Sequence, residues 1–194
     1  MKRLGLFFIL MFFIICITKT AATDSLDASF QLRIKERERF CKDRFQYNPG
    51  RDFIVVPQHS DSLYLYCMAE FFRSEEAYNT AITYFREVIK NEHNFIDAYL
   101  DISDIYAVLG DLDFAILYLY QAISVLQELL RGDITYIYPY VVTYKRYLEA
   151  YEAKGLQSIA DIERRKLISE LDELYKASKE SEIKRYIEEI KETQ

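Results

Sequence analysis

The feature that most constrains this chain is a pattern of side chains that recurs after 34 residues between Leu65 and Ile123. The paired positions are all apolar or small: Leu65 and Tyr99, Met68 and Ile102, Ala69 and Ser103, Phe72 and Tyr106, Ala81 and Ala115, Phe85 and Leu119, Val88 and Ala122. A fixed period of this length is typical of stacked helix–turn–helix units, each of which buries its apolar face against the next. The sequence therefore predicts an all-α solenoid of helical hairpins.

Glycine marks the predicted turn of the second hairpin. Gly110 separates two amphipathic segments, 95–109 and 112–131, and glycine tolerates the positive φ of a tight reversal. The first hairpin, which begins near residue 62, has Glu76 at the equivalent position. We therefore count two well-formed repeats in this part of the chain.

A third, degenerate repeat follows after 45 residues instead of 34, with Gly155 in the place of Gly110. The extra residues include the aromatic stretch 136–140, which predicts an irregular loop that projects from the solenoid and contacts partners. In the second helix of this repeat, Asp161 and Arg164 replace apolar residues of the second repeat. A polar terminal repeat is what the end of a solenoid requires.

These patterns divide the chain into four parts. Residues 1–22 resemble a signal peptide, and residues 23–60 contain a charged helix and an extended segment that would cover the open end of the first repeat. Residues 62–177 form the solenoid, and residues 178–194 form a charged C-terminal capping helix.

The N-terminus has the layout of a secretory signal. Lys2 and Arg3 precede an uncharged apolar run, 4–17, and small residues end at Ala22. That run spans about 21 Å as a helix, whereas a hydrocarbon core is about 30 Å thick. We therefore expect an exported protein, periplasmic in a bacterium; retention of the signal as a membrane anchor and acylation of Cys16 are the alternatives.

The charge of the chain bears on its partners. Its formal net charge is −6, and loss of the signal peptide would make it more acidic. Such a chain repels nucleic acid and favours basic partners. We expect membrane contact only through an uncleaved signal or an acylated Cys16.

Two cysteines, Cys41 and Cys67, would remain after signal cleavage. In an oxidising compartment they can form a disulfide that ties the N-terminal helix to the first repeat, and two separate thiols are the alternative. His59 and His93 lack ligand-like spacing to either cysteine, so we expect no metal site.

The second repeat resembles the tetratricopeptide repeat (TPR) family. The residues that carry the resemblance are Tyr99, Ile102, Ser103, Tyr106, Gly110, Ala115, Leu119 and Ala122, which match the family's bulky, small, aromatic, glycine and alanine positions. The first repeat matches less fully because Glu76 stands where glycine is expected. The resemblance extends over about residues 62–174 and implies a short TPR-like solenoid.

The resemblance also implies a concave groove, lined by the first helix of each hairpin, that binds a peptide segment. Carried onto this chain, it predicts partner contacts at Tyr66, Glu70, Arg73, Asp97, Asp101, Asp104 and Lys145. From the aromatic insertion we add Tyr136 and Tyr138, because tyrosine supplies rigid apolar area with a polar tip.

No motif predicts catalysis or a cofactor. The chain has five glycines and two isolated histidines, and we find no phosphate loop, nucleophile elbow or zinc motif. We therefore expect a non-enzymatic adaptor or scaffold of the cell envelope. The alternative is an accessory module that binds a small ligand or a cell-wall glycan through its tyrosine-rich surface.

Overall fold

A computed structural model of the protein describes residues 28–42, 53–55 and 60–192. The predicted signal peptide, 1–22, lies outside the described residues, as do Cys16 and the predicted turn at residues 48–50. The chain forms two compact units, Met1–Asn48 and Pro49–Gln194.

The described part of the first unit is one helix, α1, at residues 28–42. The guanidinium of Arg33 lies 5.5 Å from the ring centre of Phe30, and that of Arg37 lies 4.6 Å from that of Phe40. Cys41 in α1 and Cys67 in the second unit are each disulfide-bonded. Their pairing with each other stays a prediction from the sequence.

The second unit is a row of helical hairpins. Its helices are α2 (Ser60–Ser74), α3 (Tyr78–Asn91), α4 (Ile96–Val108), α5 (Leu112–Gly132), a 3₁₀ turn (Ile134–Tyr136), α6 (Ile137–Ala153), α7 (Gln157–Ser178) and α8 (Ser181–Glu192). The pairs α2–α3, α4–α5 and α6–α7 are the three predicted repeats. Neither unit contains a strand among its described residues, and the predicted TPR-like all-α solenoid is confirmed.

Small residues allow the paired helices to approach each other. Ala81, Ala115 and Ala160 are each the fourth residue of the second helix in their hairpin, and all three are buried. A larger side chain at any of them would separate the two helices of its hairpin. The alanine spacing thus sets the packing of each repeat.

The three hairpin turns have the same geometry. Gly110 and Gly155 have φ of 78° and 77°, and Glu76 has φ of 59°. In each turn the next residue donates its N–H to the carbonyl five residues earlier, as in Ala77 to Phe72 and Asp111 to Tyr106, both at 2.9 Å. The turn therefore requires a residue with positive φ, and in the first hairpin that residue is a glutamate.

The aromatic insertion is not a projecting loop, and that prediction is wrong. Residues 134–136 form a 3₁₀ turn, and Ile137 begins α6, which has 17 residues where α4 has 13. Pro139 is compatible with this helix because it lies in the first turn, where a backbone N–H has no helical acceptor. The insertion therefore lengthens α6 at its N-terminus by about one turn.

The third hairpin buries polar groups, as its atypical sequence suggests. Arg164 is buried, and its guanidinium pairs with Glu152 on α6 at 2.5 Å and with Asp161 at 2.7 Å. Lys179, with φ of 60°, then ends α7, and α8 folds back with Ile183, Tyr186, Ile187 and Ile190 buried. No helix among the described residues has the length and apolarity needed to cross a membrane.

Candidate functional site

The first helices of the hairpins, α2, α4 and α6, form one surface, which we call the first-helix face. Side chains connect them in order, since Arg73 on α2 pairs with Asp101 on α4, and Asp104 on α4 pairs with Arg146 on α6. This is the surface on which the TPR resemblance places the partner-binding residues.

Residues 53–55 lie on the part of this face formed by α2 and the start of α4, which we call the filled half. They belong to neither a helix nor a strand. The Phe53 ring packs edge-on against Tyr66 and Phe95, with ring centres 5.4 Å and 5.3 Å apart. These residues pack between the first two hairpins, and the cover over the open end of the first repeat by the segment 23–60 stays a prediction.

A hydrogen bond holds the same segment from its backbone. The N–H of Ile54 donates to Asp97 Oδ2 at 3.0 Å. Asp97 is buried, and a buried carboxylate is stable only when hydrogen bonds or charges compensate it. The contact is therefore part of the folded core.

Asp101 lies one turn further along α4 and is 1% exposed. It accepts hydrogen bonds from the hydroxyl of Tyr66 and from Arg73 Nη1, the latter at 2.8 Å. Arg73 also pairs with Glu70 at 2.9 Å. A short hydrogen-bonded network thus ties α2 to α4.

Three predicted partner contacts need correction. Tyr66, Asp97 and Asp101 face the predicted surface, but the chain's own residues bury them. Glu70 and Arg73 stay partly exposed at the edge of the network, with side-chain exposures of 26% and 31%. In the filled half, only these two predicted residues remain accessible to a partner.

The other part of the face is open. A groove of about 420 Å³ lies between the 53–55 segment, α4 and the start of α6, and we call it the open groove. Its lining residues are Phe53, Ile54, Leu100, Thr135, Tyr136, Tyr138, Pro139, Val142, Thr143 and Arg146. The structure thus brings the predicted residues Tyr136 and Tyr138 together in one wall.

The walls of the open groove are mainly apolar and partly exposed. Tyr138 is 62% exposed and Val142 is 38% exposed, and Leu100 faces them from α4 at intermediate exposure. Sequence reasoning missed Val142 and Arg146, although Tyr138, Val142 and Arg146 recur every four residues on one helix stripe. It missed Phe53 and Ile54 because no local pattern predicts their contact with α4.

An ion pair lies beside the groove. Arg146, a lining residue, donates to Asp104, and the two side chains are 32% and 50% exposed. Desolvation raises the pKa of Asp104, and the Arg146 guanidinium opposes this shift. The Asp104 side chain is half exposed, so its carboxylate has room for a further cationic partner.

Lys145 lies away from the open groove. It pairs with Glu189 on α8 at 3.1 Å and lines a separate cavity of about 260 Å³ with Leu148 and Ile190. The nine predicted contacts therefore do not form one site: Tyr136, Tyr138 and Asp104 lie in or beside the open groove, and the others do not.

A second cleft, of about 550 Å³, opens between α5, α6 and α7. The hydroxyl of Tyr140 donates to Glu170 at 2.5 Å, and that of Tyr144 donates to Glu163 at 2.7 Å. Burial and these carboxylates raise the pKa of both tyrosines far above its ordinary value. These phenols therefore stay neutral and link helices, and they are not a free aromatic surface.

The chemistry available in the open groove is recognition. Apolar walls can bury a side chain from a partner, and the ion pair beside them can select its charge. Across residues 28–42, 53–55 and 60–192, no three metal-ligating side chains are grouped so that they could hold an ion. Asp101 and Asp104 of α4 do not share a site, since Asp101 is bonded to Tyr66 and Arg73.

No family model matches the chain, and no curated protein matches it. Among solved structures it is similar to two crystal structures of MamA. One is 22% identical, with a TM-score of 0.43 over 53% of this chain and 54% of that chain. The other is 20% identical, with a TM-score of 0.47 over 61% of this chain and 58% of that chain. The chain thus spans little more than half the length of these structures, and the likeness concerns the fold alone.

Proposed function

We propose that this protein is a non-enzymatic adaptor that binds a segment of another protein in the open groove. The observation that carries the proposal is the exposed apolar pair Tyr138 and Val142 facing Leu100 across a groove of about 420 Å³. Ligand sites have volumes of about 300–1,000 Å³ and combine apolar walls with a few polar groups. The open groove has both properties.

The groove is preformed, which favours binding. Leu100, Tyr138 and Val142 project from helices. The 53–55 segment is held by the packing of the Phe53 ring and by the Ile54 hydrogen bond. Binding of a partner would therefore cost little conformational entropy on this side of the interface. Tyrosine at the centre of the wall adds a rigid anchor.

We further propose that the adaptor works in the cell envelope, exported to the periplasm or anchored there by its N-terminus. The support for this location is the sequence of residues 1–22, with Lys2 and Arg3 before an apolar run that ends at small residues.

Site-specific photo-crosslinking of the full-length chain in its own cells tests both proposals. A benzophenone amino acid at Tyr138 should give a crosslinked band with one protein. The same amino acid at Val108 is the control, because Val108 is 68% exposed but does not line the groove. Fractionation of the crosslinked cells should place the adduct in the envelope.

Two results would contradict this proposal. If Tyr138 and Val108 give the same crosslinks, or if Tyr138 gives none, the open groove is not a protein-binding site. A crosslink found only in cytosolic fractions would refute the proposed location and leave the adaptor role intact.

The exposed ring of Tyr138 also supports a second candidate, an accessory module that binds a glycan by stacking on a sugar ring. Titration with soluble cell-wall fragments distinguishes the two. Saturable binding that Tyr138→Phe retains and Tyr138→Ala loses would favour the glycan.

A further inference from the structure

The apolar and ionic side chains of the open groove follow each other in the same order on its two walls. On α4, Leu100 comes one turn before Asp104; on α6, Val142 comes one turn before Arg146. Residues four apart share one face of a helix. A chain lying along the groove would therefore meet apolar side chains first and the ion pair about one turn, or 5.4 Å, further on.

Building on the proposed function, we propose that the partner segment is extended and carries a branched or aromatic residue with a lysine or arginine two positions away. The apolar side chain would lie between Leu100, Tyr138 and Val142. The cation would pair with Asp104.

The chain's own segment supports an extended partner. Residues 53–55 lie on this face in a non-helical conformation. The Phe53 ring packs against two aromatic rings, and the Ile54 N–H donates to Asp97. Phe53 and Ile54 are also lining residues of the open groove. A partner in the groove would therefore lie directly beside a segment that already shows how this face binds an extended chain.

The charge of the face supports a basic residue. Among the described residues, its ion pairs and hydrogen bonds include the carboxylates of Glu70, Asp97, Asp101 and Asp104 and the guanidinium groups of Arg73 and Arg146. Asp104 is the carboxylate with the most exposed side chain of those paired on this face, at 50%. A cation from the partner would add a second charge-assisted hydrogen bond to it.

The spacing of two positions follows from chain geometry. An extended chain advances about 3.3 Å per residue, and alternate side chains point to the same side. Two positions therefore cover about 6.6 Å, close to the separation of one helical turn between the apolar and ionic parts of the groove. A helical partner would instead need a spacing of three or four.

The test uses synthetic peptides as probes of the full-length chain. Nine-residue glycine–serine peptides, blocked at both ends, carry one isoleucine and one lysine placed one to four positions away on either side. A second set replaces the best lysine with glutamine or glutamate. Fluorescence anisotropy at low and high salt gives the dissociation constants.

The expected result is tightest binding at a spacing of two, with the lysine peptide about five-fold tighter than the glutamate peptide at low salt, since an exposed ion pair contributes up to about 1 kcal/mol. Asp104→Asn should remove this preference for lysine. Asp113→Asn is the matched control, because Asp113 is an exposed aspartate paired with Lys154 elsewhere on the solenoid.

The remaining outcomes overturn the inference. These are equal or tighter binding of the glutamate peptide, a lysine preference that survives Asp104→Asn, and an optimum at three or four positions. If no peptide binds while Tyr138 still crosslinks to a protein in cells, the inference fails and the adaptor function stands. If both experiments fail, the function itself is refuted.

Discussion

Asp101 and Asp104 are separated by about one turn on α4, but they lie in different halves of the first-helix face. Asp101, in the filled half, is 1% exposed and bonded to Tyr66 and Arg73. Asp104, beside the open groove, is half exposed and bonded to Arg146. The repeat supplies the same kind of helix surface to both halves, and the chain covers one of them with its own residues 53–55.

This difference shows that repeat position alone does not make a residue available to a partner. In the filled half, apolar packing and hydrogen bonds are completed within the chain, so a change there should reduce stability. In the open groove the exposed side chains of Tyr138 and Val142 have no such role, so a change in them should affect binding much more than stability.

The largest expected effect is that of Asp101→Ala. Removal of this carboxylate breaks its buried hydrogen bonds with the Tyr66 hydroxyl and with Arg73, and should lower the free energy of unfolding by about 3 kcal/mol. Asp104→Ala is the matched control and should lower it by less than about 1 kcal/mol. Urea denaturation of the full-length variants measures both, and equal losses would remove the distinction between the two halves.

Phe53→Ala should have the next largest effect. The ring is half-buried against Tyr66 and Phe95, so its removal should cost about 2 kcal/mol. Tyr138→Ala removes a ring of similar size from the open groove and should change stability by less than about 0.5 kcal/mol. The same denaturation curves compare the two, and a large loss for Tyr138→Ala would mean that the groove wall is part of the core.

A substitution in the turn between α4 and α5 should have a smaller effect on stability, and this effect is the same whether or not the first-helix face is covered. Gly110 has φ of 78° and open space around its Cβ position, so Gly110→Ala should cost about 1 kcal/mol of backbone strain alone. Gly132→Ala is the control, because Gly132 lies at the end of α5 without a positive φ. That variant should be neutral or slightly stabilising, and thermal melts should separate the two.

The smallest effect concerns protonation. Desolvation raises the pKa of Asp104, whereas the Thr135 N–H lowers that of Asp133. Because folded Asp104 holds its proton more tightly than the unfolded chain, its contribution to stability should fall as pH rises above about 4. A carbon-13 NMR titration should find Asp104 titrating at higher pH than Asp133, and Arg146→Gln should raise the pKa of Asp104 further. The reverse order would mean that Arg146 outweighs desolvation.

Much of the fold follows from periodicity in the sequence. The small residues Ala81, Ala115 and Ala160 and the turn residues Gly110 and Gly155 predict three hairpins, because close helix crossing and positive φ each restrict the residue type. These requirements are local, so one sequence is sufficient to recognise them.

The candidate site was less predictable because it depends on contacts distant in the chain. Spacing places Tyr66, Asp97 and Asp101 on the correct face, but it gives no sign that Phe53 and Ile54 fold over them. The sequence predicts a loop at 136–140 because these aromatic residues are additional to the repeat period. A proline in the first turn of a helix is tolerated, and sequence alone does not place that first turn.

The lengthened α6 has a consequence for how such a surface could change over evolution. Tyr138 and Pro139 lie in its additional N-terminal turn, and both line the open groove. If the third repeat followed after 34 residues, α6 would lack this additional turn, and the open groove would lack the wall that Tyr138 and Pro139 form. The residues that pack the repeats would be unchanged. Insertion length between repeats is thus a means of acquiring or losing a ligand that leaves the packing of each hairpin intact.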